Sequence, residues 1–185
     1  VEPRHIAVLT NSNDEASLVA TALRDRGVPA IVATGADIMS TEEAKELLSI
    51  LRAVHDPRRA ALRYAALATR FLGHDLEKIQ ALRSDPAADD GMLQKFLQWQ
   101  SLWESRGVAA AIARMDSDEG MTPRIAVMAS GELRLTNFRQ LIDLLQTASQ
   151  EHSSRPEHLL RWMAQEITRA TDRDAAEERQ IQLES

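Results

Sequence analysis

The stretch HIAVLTNSNDEASLVATALRDRGVPAIV (residues 5–32) determines the fold class that we expect at the start of the chain. Residues 5–10 are an apolar run typical of a buried strand, and a helical pattern follows over residues 14–26. A Gly-Val-Pro turn at 27–29 leads into a second short apolar run at 30–32. A strand, a helix and another strand in this order predict the beginning of a parallel α/β sheet.

The rest of the chain does not continue this pattern. Nearly everything after Ser40 has helical periodicity, and residues 180–185 alternate like a strand that has just begun. Two strands alone do not make a stable parallel sheet, because such sheets need both faces covered. The chain also starts without methionine. We therefore predict a mainly α fold with a small, incomplete α/β portion at the N-terminus, cut from a larger protein in which a helical insertion separates parts of a sheet.

Composition indicates a globular protein and excludes several functions. The 185 residues are 44% hydrophobic and 27% charged, without cysteine, so disulfides, thiolate zinc sites and cysteine nucleophiles are excluded. No apolar run approaches the roughly 20 residues of a membrane span, and no signal-peptide pattern is present. We expect a cytoplasmic protein without a membrane partner. The net charge of −6 argues against bulk attraction to nucleic acid, although it permits a local basic patch.

Local signals predict where several helices begin. Ser40 and Glu43 fit a capping box, and the Asp-Pro pair at 56–57 fits an N-cap followed by the first helical residue. The Thr-Pro pair at 122–123 fits the same pattern. The polar stretch SDPAADDG (84–91) is typical of a linker.

The three tryptophans, Trp99, Trp103 and Trp162, are candidates for either the core or an interface. Each lies on an apolar helical stripe, which favours the core.

No pattern in the chain predicts catalysis. No glycine is followed by lysine, so there is no phosphate-binding loop, and the five histidines lack metal-ligand spacing. Asp14-Glu15 fits the first turn of a helix better than a metal-holding pair. Glu43-Ala44-Lys45 echoes a nuclease motif but falls on a predicted helix, which favours a solvated helical face. We predict no catalytic, cofactor-binding or metal-binding residue.

One stretch of the chain is basic. Residues 57–74 contain four arginines and no acidic residue. Arg59, Arg63 and Arg70 are expected near one helical face, which runs into a turn containing Gly73. A glycine turn between helices can bring backbone N–H groups close to a phosphate. The alternatives are a DNA-contacting surface and a solvated basic face.

The order of these segments resembles the UvrD-like helicases. The resemblance rests on IAVL (6–9) followed by Ser12, on LRDRGVP (23–29), and on EEAKELL (42–48) leading to HDP (55–57). In that family these segments begin the second motor domain and lead into its inserted helical subdomain.

Further segments are similar to the RecB family of helicase–nuclease subunits in particular. They are LR (62–63) with ALAT (66–69), WQSLWESRG (99–107), GELRLTN (131–137) with LLQ (144–146), and LLRWM (159–163). The resemblance covers essentially the whole chain.

The resemblance implies a domain organisation. Residues 1–57 would begin the second motor domain as strand–helix–strand–helix, residues 58–170 would form the inserted helical subdomain, and residues 171–185 would return towards the motor domain.

The resemblance also implies a function. The chain would be a non-catalytic fragment, inactive alone, of an ATP-dependent DNA helicase and exodeoxyribonuclease of double-strand-break repair and recombination. ATP and Mg would bind outside it, in the whole subunit. Its helical subdomain would position duplex DNA, bind the duplex backbone weakly through Arg59, Arg63, Arg70 and Gly73, and contact RecC-like and RecD-like subunits. The alternative is a free-standing helical docking or regulatory module without catalytic activity.

Overall fold

The computed structural model describes residues 6, 8–10, 13–28, 30, 38–151 and 155–183. Helices dominate this part of the chain, so the prediction of a mainly α fold is confirmed. The regular elements within it are a 3₁₀ turn, Ile38–Ser40, and the helices α1 (Asn13–Asp25), α2 (Glu42–His55), α3 (Ala60–Leu67), α4 (Leu76–Ser84), α5 (Pro86–Arg106), α6 (Val108–Glu119), α7 (Met121–Ala126), α8 (Gly131–Glu151) and α9 (Pro156–Leu183).

The chain divides into two compact units, residues 1–37 and 38–185. In the first unit, α1 lies where the sequence predicts a helix. The described residues of the predicted first strand, 6 and 8–10, have no regular secondary structure. A strand is held by hydrogen bonds to a neighbouring strand, and the described residues provide no such neighbour. The remaining positions of that strand, and residues 31–32 of the second, lie outside the described part, so the α/β portion stays a prediction.

The second unit is built around α2. This helix is buried around most of its circumference and packs against α3, α5, α8, α9 and the 3₁₀ turn. Its buried apolar residues are Ala44, Leu47, Leu48, Ile50, Leu51, Ala53 and Val54. The compact helical unit therefore begins at Ile38, whereas we assigned residues up to 57 to a motor domain. That assignment concerns a longer protein and remains a prediction.

Three predicted helix starts are displaced, and one of them is the Thr-Pro pair at 122–123, which lies inside α7 because that helix begins at Met121 with Gly120 as its N-cap. Thr41, not Ser40, is the N-cap of α2, and its hydroxyl oxygen accepts a hydrogen bond from the Ala44 amide at 3.3 Å. Asp56 follows α2 as its C-cap, and α3 begins only at Ala60. Pro57 therefore lies in the turn between the two helices.

The predicted linker at 84–91 is wrong, because most of it is helical. Asp85 caps α5, and its carboxylate accepts hydrogen bonds from the amides of Ala87 and Ala88 at 2.9 and 3.2 Å. Pro86 is the first residue of this 21-residue helix. An aspartate–proline pair thus begins a helix here, although the equivalent pair at 56–57 follows the end of one.

The expected strand at the C-terminus is also wrong for residues 180–183, which continue α9. An α-helix satisfies its own backbone hydrogen bonds, whereas a strand needs a partner that the described residues do not offer here. Residues 184–185 lie outside the described part.

The expected burial of the tryptophans is confirmed. Trp99 and Trp103 are fully buried in the core, and Trp162 is partly buried against it. The Trp99 indole N–H donates to Asp118 at 2.8 Å, so its polar group is satisfied.

Candidate nucleic-acid interface

The four residues that we predicted to contact DNA do not share one helical face. Helix α3 ends at Leu67, with Arg59 as its N-cap, so Arg70 and Gly73 lie in the segment between α3 and α4. The Thr69 hydroxyl donates to the Ala66 carbonyl at 2.6 Å where the helix has just ended. The expected continuous basic face is therefore interrupted, and each residue has its own surroundings.

Arg63 points into the protein and is only 2% exposed. One of its terminal nitrogens donates to both carboxylate oxygens of Asp89 on α5, at 2.8 and 2.7 Å. The other donates to the Pro57 carbonyl at 2.7 Å. The geometry therefore does not support direct DNA contact by Arg63, since its guanidinium is buried, and that contact stays a prediction.

Tyr64 shares the carboxylate that holds Arg63. Its hydroxyl donates to Asp89 at 3.0 Å, and burial together with this hydrogen bond raises the pKa of Tyr64. The two neighbouring residues of α3 thus attach this helix to the first turns of α5.

Arg70 is half exposed but paired. Its Nε donates to Glu46 of α2 at 2.6 Å, and Glu42 lies 4.0 Å from another of its nitrogens. The hydrogen bond to Glu46 raises the pKa of the Arg70 guanidinium. Two carboxylates therefore compete with a phosphate for Arg70, whose role in DNA contact remains a prediction.

The turn at Gly73 uses its own amides internally. The Gly73 N–H donates to the Thr69 carbonyl at 2.7 Å and the His74 N–H to the Leu67 carbonyl at 2.9 Å. The Leu72 N–H reaches the Thr69 hydroxyl at 3.4 Å. A phosphate would have to compete with these bonds for the amides of the turn, so the geometry does not support the predicted phosphate contact through them.

Arg124 of α7 covers this turn, and sequence analysis missed it. Its Nη1 donates to the Phe71 carbonyl at 2.6 Å. A Cβ atom placed on Gly73 would lie 2.5 Å from the Arg124 Nε. Gly73 and Arg124 are 51 positions apart in an otherwise ordinary helical sequence. No local sequence pattern therefore predicts their contact.

Glu43, the glutamate of the segment that resembles a nuclease motif, is not on a solvated face. Glu43 of α2 is 5% exposed, and its carboxylate accepts hydrogen bonds from Arg134 and Asn137 of α8. The expectation of a helix is confirmed, but the expected solvation is wrong, because α8 covers this face of α2. Glu43 therefore has a structural role.

The described residues offer no evident site for chemistry. They contain no group of three or more histidine, cysteine, aspartate or glutamate side chains placed to hold a metal ion. A shallow groove of about 200 Å³ lies between α6 and α8, lined mainly by alanine, leucine, isoleucine and phenylalanine. Asp116, which also lines it, already accepts two hydrogen bonds from Thr122. None of the described helices is long and apolar enough to cross a bilayer.

Exposed cations remain around the turn between α2 and α3. Arg52, Arg58 and Arg59 are all exposed. The Arg59 side chain is 72% exposed, and its nearest carboxylate oxygen, on Asp56, is 4.0 Å away. Of the residues predicted to contact DNA, Arg59 is the one with an accessible, weakly paired guanidinium.

Curated relatives match the chain along its whole length. It is 33% identical to the RecBCD enzyme subunit RecB of Escherichia coli, and 29% identical to the subunits of that name from Haemophilus influenzae and Mycolicibacterium smegmatis. Each alignment covers 100% of this chain but only 15–16% of the relative, so the chain spans about one sixth of these proteins. No protein-family model matches the chain. The resemblance to RecB is confirmed, as a match to one segment of a longer subunit.

Proposed function

We propose that this RecB-like chain is the beginning of the second motor domain, together with the inserted helical subdomain, of an ATP-dependent DNA helicase and exodeoxyribonuclease. The whole subunit would act in double-strand-break repair and recombination in the cytoplasm. The observation that carries this proposal is similarity to RecB subunits from three organisms over the entire chain.

In this proposal the chain itself is non-catalytic. ATP and Mg would bind in other parts of the longer subunit, since this sequence contains no phosphate-binding loop. Support also comes from the described carboxylates, several of which pair with arginines: Glu43 with Arg134, Glu46 with Arg70, and Asp89 with Arg63.

The helical unit would position duplex DNA and contact RecC-like and RecD-like subunits. Such a role requires a rigid body, because a mobile scaffold cannot fix the path of a duplex. The extensive core and the ion pairs between α2 and α8 and between α3 and α5 support rigidity.

The test compares the purified 185-residue chain with the protein expressed from the complete gene. We expect a Gly-Lys-Thr phosphate-binding loop upstream, DNA-stimulated ATP hydrolysis by the complete protein, and none by the segment. A complete gene without that loop would overturn the proposal and favour a free-standing docking module. ATP hydrolysis by the segment alone would overturn its non-catalytic assignment.

A further inference from the structure

We propose that Arg52, Arg58 and Arg59, called here the α2–α3 arginine patch, bind the phosphate backbone of duplex DNA. The inference rests on the proposed function and specifies the surface that meets the duplex. It replaces the face predicted from sequence, where Arg63 is buried and Arg70 is paired.

The α2–α3 arginine patch lacks close carboxylate partners. The side chains of Arg52 and Arg58 make no hydrogen bond or ion pair with any described residue, and the Arg59 side chain approaches the Asp56 carboxylate only to 4.0 Å. Five other arginines of the helical unit are paired with carboxylates at 2.8 Å or less: Arg63, Arg70, Arg114, Arg134 and Arg169. The chain has 28 acidic and 22 basic residues, so acids are not scarce. Other exposed arginines without close partners, such as Arg106, Arg139 and Arg161, lie singly on α5, α8 and α9, whereas the patch concentrates three of them within eight residues.

Two of these arginines oppose the local residue preferences of a helix N-terminus. Arg59 is the N-cap of α3 and makes no side-chain capping hydrogen bond, and Arg58 precedes it. Helix N-termini carry partial positive charge and prefer serine, threonine, aspartate or asparagine at the cap. Residues that oppose the preferences of a helix N-terminus in this way are characteristic of functional surfaces. A bound phosphate would convert the repulsion into attraction.

Hydrogen bonds to the interior hold the backbone beneath the patch in place. The Pro57 carbonyl accepts from buried Arg63 at 2.7 Å, and the His55 carbonyl accepts from the Gln100 side chain at 2.7 Å. The turn is thus tied to the interior of the unit on either side of Asp56. A fixed backbone lowers the entropy lost when exposed side chains bind.

Guanidinium chemistry identifies the ligand class. Arginine presents a planar fork of donors that matches a phosphate, and duplex DNA supplies phosphates at regular spacing along an extended surface. An acidic protein surface would also attract three arginines, and the experiment treats it as a separate outcome.

The experiment measures anisotropy of a fluorescent 20-base-pair duplex titrated with the 185-residue chain over a series of salt concentrations. The test variant is R52A/R58A/R59A. The control is R106A/R139A/R161A, which removes three exposed arginines that also lack partners among the described residues. Both variants lose three positive charges, so bulk electrostatics changes equally. Thermal unfolding verifies that both remain folded.

We expect weak wild-type binding, with a Kd of about 10⁻⁴ M, that is lost at high salt. Each phosphate contact adds about 0.9 to the magnitude of the slope of log affinity against log salt concentration. The magnitude of the slope should therefore be smaller by roughly 2 to 3 in the patch variant, which lacks three arginines. The control should keep the wild-type slope.

Other results would overturn the inference in distinguishable ways. Equal losses of duplex affinity in both variants would indicate that binding depends on overall charge. If the patch variant bound the duplex like the wild type, the contact would lie elsewhere and the proposed function would be unaffected. Unchanged duplex binding with weakened binding to a purified RecC-like subunit would identify a protein interface. If the wild-type chain did not bind the duplex at all, the proposed binding of DNA by the patch would be wrong. The ATP hydrolysis test would still decide the identity of the parent subunit.

Discussion

Gly73 shows how the role of a single residue depends on a distant one. Its φ of +65° lies in the left-handed region that favours glycine. The space that a side chain would need is filled by the Nε and Cδ of Arg124, which would lie 2.5 and 2.7 Å from a Cβ atom. The backbone conformation favours glycine here, and a side chain at this position would have to displace Arg124, independently of any contact with DNA.

We predict that Gly73→Ala destabilises the fold by about 1–3 kcal/mol. The left-handed conformation costs an alanine roughly 1–2 kcal/mol. Displacing Arg124 adds the loss of its hydrogen bond to the Phe71 carbonyl, about 1 kcal/mol. Urea unfolding followed by circular dichroism measures the change.

The matched control for Gly73 is Gly91, which lies inside α5. Its backbone is not left-handed, and no atom lies within 4 Å of the position that a Cβ atom would take there. Gly91→Ala should stabilise the protein by roughly 0.5–1 kcal/mol, since glycine is unfavourable within a helix. Equal stability of Gly73→Ala and the wild type would show that Arg124 does not restrict this turn.

Helices α5 and α6 are joined by polar contacts as well as by apolar packing. Asp118 of α6 accepts hydrogen bonds from the Trp99 indole of α5 at 2.8 Å and from Arg114, one turn earlier. Burial raises the pKa of Asp118, but these hydrogen bonds and the nearby charges of Arg114 and Lys95 outweigh burial and lower it overall. The ionised carboxylate is therefore the form that stabilises this helix pair.

Acid should weaken the α5–α6 contact in a defined direction. Because the folded pKa of Asp118 lies below its ordinary value of 3.8, its contribution is fully present above that pH. The contribution is lost as pH falls from 3.8 through the lowered folded pKa. Asp118→Asn should lower stability at pH 7 and reduce the loss of stability in this acidic range, as measured by urea unfolding monitored through tryptophan fluorescence.

Asp90→Asn is the control for Asp118, since the Asp90 side chain is exposed and makes no hydrogen bond or ion pair with the described residues. It should leave the acid dependence unchanged. If Asp118→Asn retained the full wild-type loss of stability below pH 4, another group would be responsible.

Over the whole helical unit, one buried ion pair connects segments that are far apart in sequence. Glu43 of α2 and Arg134 of α8 are 91 residues apart, and their side chains are 6% and 26% exposed. Asn137 donates to the second carboxylate oxygen at 3.2 Å. The pair joins the central helix to a helix that also packs against α6, α7 and α9.

We predict that Glu43→Ala destabilises the unit by about 3–5 kcal/mol, because it leaves the Arg134 guanidinium without its buried partner. Glu42→Ala is the matched control: Glu42 is 61% exposed and pairs with Lys45, so its loss should cost about 1 kcal/mol or less. The double variant Glu43→Met/Arg134→Met should recover much of the lost stability. Chemical denaturation of all three variants measures these differences, and similar costs for Glu43→Ala and Glu42→Ala would contradict a structural role for the pair.

Local patterns in the sequence were sufficient to predict a mainly helical protein, the buried tryptophans and the resemblance to RecB, since periodicity and segment order are properties of the chain itself. Exact helix boundaries were not predictable in this way. The Asp-Pro pairs at 56–57 and 85–86 carry the same local signal, yet only the second begins a helix, while the first lies in a turn whose Pro57 carbonyl accepts a hydrogen bond from Arg63.

The tertiary structure alone decided which arginines can meet a ligand. Arg59 and Arg63 are four residues apart and have the same side chain, yet one is exposed and the other is buried against Asp89, 26 residues further along the chain. Arg70 is paired with Glu46 of the preceding helix, and Arg124 reaches the Gly73 turn from α7. The accessibility of a charge depends on which distant groups packing brings to it. For this reason the sequence located a basic segment, whereas the folded structure determined its exposed surface.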